Sequence, residues 1–285
     1  MNSDRLKSID TLVGDIYGLF KTPQKVKKES AEKLGQEIAK SITEMLEGGE
    51  QEPSLRFSNL GTPCKRKLWY SIRAPQLSEP LPPYVKIKFL FGHILETLLL
   101  FLSEQAGHTV TGRQDELSIG TVKGHRDAVI DGRTIDVKSA TTFSFKKFRE
   151  NRLTDDDPFG YIDQINAYRA ADKDNVDDKV SFLAIDKQLG HIVLDTYPAN
   201  EVNYEEKIDR LKAIVDADEP PERGFSDEEM GAKGNRKLCM TCSYCPFKEV
   251  CWPGLRTFVY SNGPVYLTKV EETPKVLEIN GTEKF

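Results

Sequence analysis

Two carboxylates and a lysine near the centre of the chain have the clearest chemical use. Asp127 ends the run Gly-His-Arg-Asp, and Asp136 and Lys138 lie beyond the turn signal Asp131–Gly132. Side chains alternate along a strand, so Asp136 and Lys138 share a face, and a hairpin brings Asp127 beside them. Carboxylates bind Mg²⁺ or Mn²⁺, which activates water at a phosphate, while lysine stabilises developing charge. The trio predicts metal-dependent phosphodiester hydrolysis.

An isolated Asp-x-Lys is more often a solvated surface hairpin, because short motifs match freely. A preceding apolar helix, predicted over residues 89–106, carries two polar residues that favour the functional interpretation. Glu96 and, one turn earlier, His93 would face the metal from this helix. The structural alternatives are a solvent-facing glutamate and a hydrogen-bonded core histidine.

A later helix, predicted over residues 161–171, carries a second companion motif. Gln164 and Tyr168 stand four residues apart and therefore share a face, with Tyr161 nearly aligned. An amide and phenols on one face would contact a substrate strand. The alternative makes Tyr161 and Tyr168 core aromatics.

The cysteines predict a second site of a different kind. Cys64 stands alone, whereas Cys239, Cys242, Cys245 and Cys251 lie within the segment CMTCSYCPFKEVC. Four thiolates satisfy one iron-sulfur cluster or one tetrahedral zinc ion. An odd cysteine count and a polar N-terminal sequence argue against disulfides. A bound group would act as a clasp that joins the C-terminal segment to Cys64.

A basic run follows the isolated cysteine. Pro63 is suited to open a helix that holds Cys64, Lys65, Arg66 and Lys67 in its first turn. Positive charge next to Trp69 suits the phosphates and bases of a single strand. A solvated helix end is the alternative.

The remaining patterns indicate a mixed α/β chain. The helical patterns cover residues 10–20, 30–46, 89–106, 144–151, 161–171 and 201–215, and the strand patterns cover residues 109–140, 180–185 and 191–196. Residues 216–229 form an expected exposed linker. The 285 residues carry a net charge of −5, which gives no global signature of nucleic-acid binding. No apolar run is long enough to span a bilayer, so we expect a cytoplasmic protein without membrane contact.

Six ordered motifs resemble the PD-(D/E)XK nucleases, specifically RecB-like exonucleases with an iron-sulfur cluster, including the CRISPR-associated RecB-like nuclease and the AddAB-type nuclease domain. The matching motifs are TPCKRKLWY with Cys64, Gly92 to Glu96, Gly124 to Asp127, Asp136 to Lys138, Gln164 to Tyr168, and Cys242-x-x-Cys245 with Cys251. The resemblance spans about residues 58–251.

The resemblance implies a restriction-endonuclease-like core, with a central mixed sheet flanked by helices, N-terminal helices and the C-terminal clasp. It implies catalytic or metal roles for Asp127, Asp136, Lys138 and Glu96, with Gln164 and Tyr168 near the DNA. It also implies that Cys64, Cys242, Cys245 and Cys251 ligate a [4Fe-4S] cluster, which leaves Cys239 spare. Zinc, or a ligand set without Cys64, stays open as an alternative.

We therefore expect three regions: N-terminal helices over residues 1–50, a nuclease domain with the cluster over 51–260, and a tail over 261–285. The expected activity is Mg²⁺- or Mn²⁺-dependent hydrolysis at DNA ends or in single strands, in recombination, repair or phage genome processing. A phage protein would act in the host cytoplasm. No Walker motif is present, so a helicase, recombinase or single-strand-binding partner is implied. The alternatives are a structure-specific endonuclease and a non-catalytic DNA-binding iron-sulfur subunit.

Overall fold

A computed structural model describes residues 7–23, 25–49, 52–175 and 177–279. The α-helices of these ranges are α1 (Leu12–Gly18), α2 (Lys28–Glu47), α3 (Lys65–Arg73), α4 (Pro83–Gln105), α5 (Thr142–Arg149), α6 (Tyr161–Ala171), α7 (Tyr204–Asp216), α8 (Met240–Ser243) and α9 (Lys248–Cys251). Their strands are β1 (Val110–Thr111), β2 (Asp115–Ile119), β3 (Val122–Arg126), β4 (Ala128–Ile130), β5 (Arg133–Ala140), β6 (Lys179–Asp186), β7 (Ile192–Pro198), β8 (Glu228–Met230), β9 (Asn235–Lys237), β10 (Arg256–Tyr260), β11 (Gly263–Lys269) and β12 (Leu277–Ile279).

The chain divides into two compact units. Unit 1 comprises residues 1–61 and 82–209, and unit 2 comprises residues 62–81 and 210–285. This division is not linear along the chain, because the segment with Cys64 groups with the C-terminal residues. The three expected regions follow chain order instead, and their boundary at residues 50–51 lies outside the described residues. Those domain boundaries stay a prediction.

Unit 1 is built on a mixed sheet. Over the described residues its strand order is β1-β4-β5-β6-β7, with β5 and β6 parallel and the other pairs antiparallel. Phe182 on β6 packs in a core with α5 and α6, whereas the next residue, Leu183, packs in a core with α1 and α4. This alternation buries both faces of the sheet. The expected α/β class, with a mixed central sheet flanked by helices, is confirmed.

The β4–β5 hairpin follows the predicted turn. Asp131 and Gly132 adopt φ values of 49° and 87°, which a type I′ turn requires and which Asp-Gly sequences favour. The hairpin pairs Ala128 with Ile135. The turn is held from outside by His108, whose Nδ1 lies 2.6 Å from Asp131 Oδ2.

Two element boundaries differ from the expectations. Helix α4 begins at Pro83, six residues before its predicted start at residue 89, because proline is well suited to the first helical turn. The expected linker over 216–229 ends inside β8. There Asp227 anchors the chain by accepting hydrogen bonds from Arg236 and from Thr268.

Unit 2 contains a second sheet that the patterns did not predict. Its strand order over the described residues is β12-β10-β11-β9-β8, entirely antiparallel. A signal was present, because Asn262–Gly263 separates two β-rich runs in a typical hairpin sequence. A small aromatic core accompanies the sheet, with Tyr70 of α3 stacked on Phe247 at 5.5 Å between ring centroids.

Among the described helices, none combines the length and the apolarity that crossing a bilayer requires.

Candidate functional site

The β4–β5 hairpin and helix α4 bring four predicted residues of unit 1 together. Asp136 and Lys138 share one face of β5, and their side chains form an ion pair. Asp127 lies just before β4, where its Oδ2 accepts the Val137 amide hydrogen at 2.7 Å. Glu96 of α4 lies close enough to both aspartates to influence their ionisation. Asp136 is only 2% exposed, so this charge cluster is shielded from water.

Burial and mutual repulsion control the ionisation of the three acids. Burial, followed by the Asp136 charge, raises the pKa of Glu96 to about 7. Burial, then Asp136 and Glu96, raises the pKa of Asp127 well above its usual range. Burial also raises the pKa of Asp136, although Lys138 opposes this shift. Three crowded carboxyl groups with one ammonium ion carry excess negative charge when ionised, which favours a further cation.

The lysine of this cluster stays protonated. Burial lowers the pKa of Lys138, but the nearby Asp136 and Asp127 charges outweigh burial and raise it overall. Lys138 Nζ also lies 4.5 Å from the ring centroid of Tyr161, within the range of a cation–π interaction. The ammonium ion is therefore held between a carboxylate and an aromatic ring.

Two neighbours of the cluster were missed by the sequence reasoning. The side-chain Nε2 of Gln114 donates to Glu96 Oε1 at 2.7 Å, and the backbone N–H of Gln114 donates to the Asp127 carbonyl oxygen at 3.3 Å. Asp157 lies near enough to raise the pKa of Asp136, and its Oδ1 is buried without a hydrogen-bond partner among the described residues. Neither residue stands in a recognisable motif, and Asp157 is one of three consecutive aspartates.

His93 does not join the carboxylates. Its side chain is exposed, and no interaction found among the described residues links its ring to the acids. Positions three residues apart on a helix differ by about 60° in direction, so His93 and Glu96 share a face only approximately. The metal role of His93 stays a prediction without geometric support.

The predicted residues of α6 divide between the site and the core. Tyr161 lies beside Lys138, whereas Tyr168 is only 3% exposed and packs edge-on against Phe57 at 5.2 Å. Burial raises the pKa of Tyr168 to about 12, and a hydrogen bond from Gln164 opposes this shift. Gln164 and Tyr168 therefore interact with each other, as their spacing predicts. Tyr168 packs in the core, and its phenol also lies near enough to Asp136 and Asp127 for their charges to raise its pKa, so its role near the DNA stays a prediction.

The start of α6 is fixed by an unusually close backbone approach. A Cβ atom on Gly61 would overlap the Gly160 Cα atom, and Gly160 has a φ of 74°. Only glycine fits both requirements at Gly160. This contact positions Tyr161, the next residue, beside Lys138.

The cysteines of unit 2 gather around a small cavity. Cys64, Cys242, Cys245 and Cys251 all line it, and the chain has no disulfide. Cys64 is the N-cap of α3, rather than a residue of its first turn, and its Sγ accepts the Lys67 amide hydrogen at 3.4 Å. The isolated cysteine and the clustered ones are thus neighbours within unit 2.

The thiols influence one another's ionisation. Burial, then the neighbouring Cys239, Cys245 and Cys251 thiols, raises the pKa of Cys242 to about 12. Burial also raises the pKa of Cys245, with Cys64 and Cys251 adding to this shift. Crowded thiolates need a compensating cation. Cys239 is part of this neighbourhood, so it is a fifth candidate ligand beside the four predicted ones.

Within the described ranges, no three His, Cys, Asp or Glu side chains stand in a ready metal-binding arrangement. The donor chemistry nevertheless fits the two expected groups. Hard carboxylate oxygens around Lys138 suit Mg²⁺ or Mn²⁺, and soft cysteine sulfurs suit an iron-sulfur cluster or zinc.

The comparisons with known proteins add little. No protein-family model matches the chain, and no curated protein matches it. Four solved chains match, including one titled "Crystal structure of SSO0001". That structure is 19% identical and has a TM-score of 0.40, over 78% of this chain and 95% of that chain.

Two of the three predicted DNA-binding cations make internal contacts. Lys65 Nζ donates to the Thr62 carbonyl oxygen at 2.7 Å, and Arg66 Nη1 donates to the Pro221 carbonyl oxygen at 2.7 Å. Both bonds lie within unit 2 and tie the start of α3 to the chain around it. Lys67 is exposed. The DNA contact stays a prediction, for which Lys67 is the best-placed residue.

Proposed function

We propose that the protein is a metal-dependent deoxyribonuclease with a restriction-endonuclease-like core of the PD-(D/E)XK type, acting as an exonuclease. The observation that carries this proposal is the buried group of Glu96, Asp127, Asp136 and Lys138 in unit 1. Burying three acids and a lysine together costs free energy, because each buried charge needs an opposite charge or a hydrogen bond to compensate it. Such clusters of perturbed ionisation are typical of functional sites.

Glu96, Asp127 and Asp136 would hold the Mg²⁺ or Mn²⁺ ion. When bound, the ion would lower the pKa of water and polarise the phosphate. Lys138 keeps its proton at neutral pH and presents a positive charge to the developing charge on a phosphate oxygen. Gln114 restrains Glu96 through its 2.7 Å hydrogen bond, and it also contacts the Asp127 backbone. Tyr161 restrains Lys138.

The cysteines support a structural metal group in the same proposal. Cys64, Cys242, Cys245 and Cys251 would ligate a [4Fe-4S] cluster, with zinc as the competing group. Four thiolates leave no open position for chemistry on the metal. We assign the group a structural role, as the clasp that holds residues 62–81 with the cysteine segment inside unit 2.

The proposed substrate is DNA with free ends or in single strands, in recombination, repair or phage genome processing. A helicase, recombinase or single-strand-binding protein would supply the strand. The non-catalytic DNA-binding subunit is the weaker candidate, because a binding surface has no need for three crowded acids around a protonated lysine.

The test compares end-labelled linear single-stranded DNA with closed circular single-stranded DNA, in Mn²⁺ or Mg²⁺, using protein purified without oxygen. We expect metal-dependent loss of the linear substrate alone, and a loss of at least about 10²-fold in the rate of Asp136→Asn. The control is Asp195→Asn, which alters another buried aspartate of the same sheet. Cutting of the circle would change the assignment to an endonuclease. Equal rates in wild type and Asp136→Asn would refute the active site.

A further inference from the structure

A cavity of about 230 Å³ opens beside Lys138 in unit 1, and Glu96 is not among the residues that line it. It lies at the carboxyl ends of the parallel strands β5 and β6, where α/β proteins commonly bind ligands. Lys187, the first residue after β6, lines it, and its amide donates to the Ala140 carbonyl oxygen at 3.0 Å. The volume falls just below the ~300 Å³ of typical small-molecule sites. It suits one nucleotide rather than a longer ligand.

Several charged side chains line this cavity. Lys138, Lys147 and Lys187 line it, together with the carboxylates of Asp156 and Asp157, so lysines exceed aspartates by one. Lys147 is paired with Asp156, and Lys138 is paired with Asp136. The Lys187 ammonium makes no ion pair with any described residue. It is therefore the cation most available to an incoming anion.

The N-terminus of α5 adds to the anion-binding character. Thr141 caps the helix by accepting the Ser144 amide hydrogen at 3.3 Å, and both residues line the cavity. The positive end of a helix dipole favours phosphate. The N-terminus of α5 adds to the attraction of Lys187 for an anion but would not define a site by itself.

An aromatic stack leads from the surface to Lys138. Phe159 is 65% exposed, and its ring stacks on Tyr161 with centroids 5.3 Å apart and planes 24° apart. Lys138 Nζ lies 4.5 Å from the centroid of the same Tyr161 ring. A nucleobase would extend this stack on the exposed face of Phe159, since aromatic rings stack on bases of any sequence.

We propose that this cavity binds the terminal nucleotide of a DNA strand, with its free phosphate on Lys187 and its base on Phe159. The proposal rests on the proposed nuclease function and specifies its substrate as a strand end that carries a phosphomonoester. Such a site would favour ends over internal positions, because only an end offers a dianionic phosphate to the lysines.

The test measures binding of deoxyadenosine 5′-monophosphate by calorimetry, with deoxyadenosine, inorganic phosphate and the 3′-monophosphate as comparison ligands. We expect a monophosphate to bind and Lys187→Gln to weaken it at least about tenfold, whereas Lys187→Arg keeps affinity within about threefold. Phe159→Ala should weaken the nucleotide roughly tenfold and leave inorganic phosphate unchanged. The matched control is Lys179→Gln, an exposed lysine at the other end of β6.

Binding of either monophosphate supports the site, and the preferred isomer gives the strand end. No monophosphate binding, or equal affinity in Lys187→Gln and Lys179→Gln, would overturn it. Because binding needs no turnover, the two proposals fail separately. Nucleotide binding without metal-dependent DNA hydrolysis would retain the cavity and reject the nuclease. Metal-dependent DNA hydrolysis, together with nucleotide binding that neither Lys187→Gln nor Phe159→Ala weakens, would retain the nuclease and reject the cavity.

Discussion

The carboxylate site of unit 1 and the cysteine site of unit 2 differ in what holds their side chains. Asp136 and Lys138 lie on the eight-residue strand β5, which is paired on both sides within a sheet. Cys242 and Cys251 instead lie on α8 and α9, helices of four residues each. Helices this short are not stable on their own. The fold itself therefore positions the acids, whereas under the proposed function the cysteines would depend on a bound group to stay in place.

The largest expected effect is therefore loss of the metal group from unit 2. Cys245→Ser should abolish the visible absorption of a brown protein and expose residues 210–279 to limited proteolysis, because metal binding to thiolates contributes on the order of 10 kcal/mol in small metal-binding domains. Chelation of Mg²⁺ or Mn²⁺ should leave the proteolysis pattern unchanged.

The matched controls are Cys239→Ser and Cys64→Ser. We expect the colour to survive in the first and to disappear in the second. The reverse result would replace Cys64 with Cys239 in the ligand set. A colourless wild-type protein containing stoichiometric zinc would replace the cluster. If loss of the metal group exposed residues 82–209 to proteolysis as much as residues 210–279, then the two sites would not differ in what holds their side chains.

The next largest effect concerns Lys138. Lys138→Gln should lower the rate of DNA hydrolysis by about 10²- to 10³-fold, since it removes the protonated group nearest the acids. Turnover of linear single-stranded DNA at saturating Mn²⁺ measures this effect, with Lys179→Gln as the control. If the variant retains more than a tenth of the wild-type rate, then Lys138 only balances charge in the fold.

A smaller effect should follow from Gly61→Ala in unit 1. The added Cβ would meet backbone atoms of Gly160, which cannot rotate away as a side chain could. We expect the free energy of unfolding to fall by about 1–3 kcal/mol, as for other overpacked sites. Chemical denaturation measures this loss.

Gly35→Ala is the matched control, because Gly35 lies in α2 with open space around it. It should raise the free energy of unfolding by about 0.5–1 kcal/mol, the difference between alanine and glycine within a helix. Equal stability of Gly61→Ala and wild type would show that the Gly61–Gly160 approach relaxes without cost.

The sequence predicted the site best where local rules fix geometry. The Asp131–Gly132 turn sets the register of β5, and strand alternation then places Asp136 beside Lys138. Gln114 was missed because its role depends on two hydrogen bonds that join separate elements. Asp157 was missed for the same reason, since only the tertiary fold distinguishes it from its neighbouring aspartates.

The fold was predicted in the same uneven way. The long elements β5, β6 and α6 lie close to their predicted ranges, because periodicity is clear over eight or more residues. The sheet of unit 2 was missed because β8, β9 and β12 have three residues each. Gly61 and Gly160 meet across about 100 residues of chain, and no local pattern encodes such a contact.

A further predicted effect tests how burial acts on an aspartate of the unit 1 sheet. Asp195 on β7 is 3% exposed and accepts hydrogen bonds from Asn151 Nδ2 at 2.6 Å and from the Tyr197 hydroxyl at 2.8 Å. The hydrogen-bond donors to Asp195 are neutral, whereas Asp136 forms an ion pair with the positively charged Lys138. Burial raises the pKa of Asp195 to about 6, although both hydrogen bonds lower it.

A carboxyl group with a raised pKa in the folded state ionises first in the unfolded chain. The ionisation of Asp195 should therefore lower the free energy of unfolding as the pH rises from about 4, and this decline should level off above about pH 6 at about 3 kcal/mol in total. Asp195→Asn should remove this contribution and leave those of Glu96, Asp127 and Asp136 in place. Urea denaturation of both proteins between pH 4 and pH 8 measures the difference. If the two curves remain parallel, burial does not control the ionisation of Asp195.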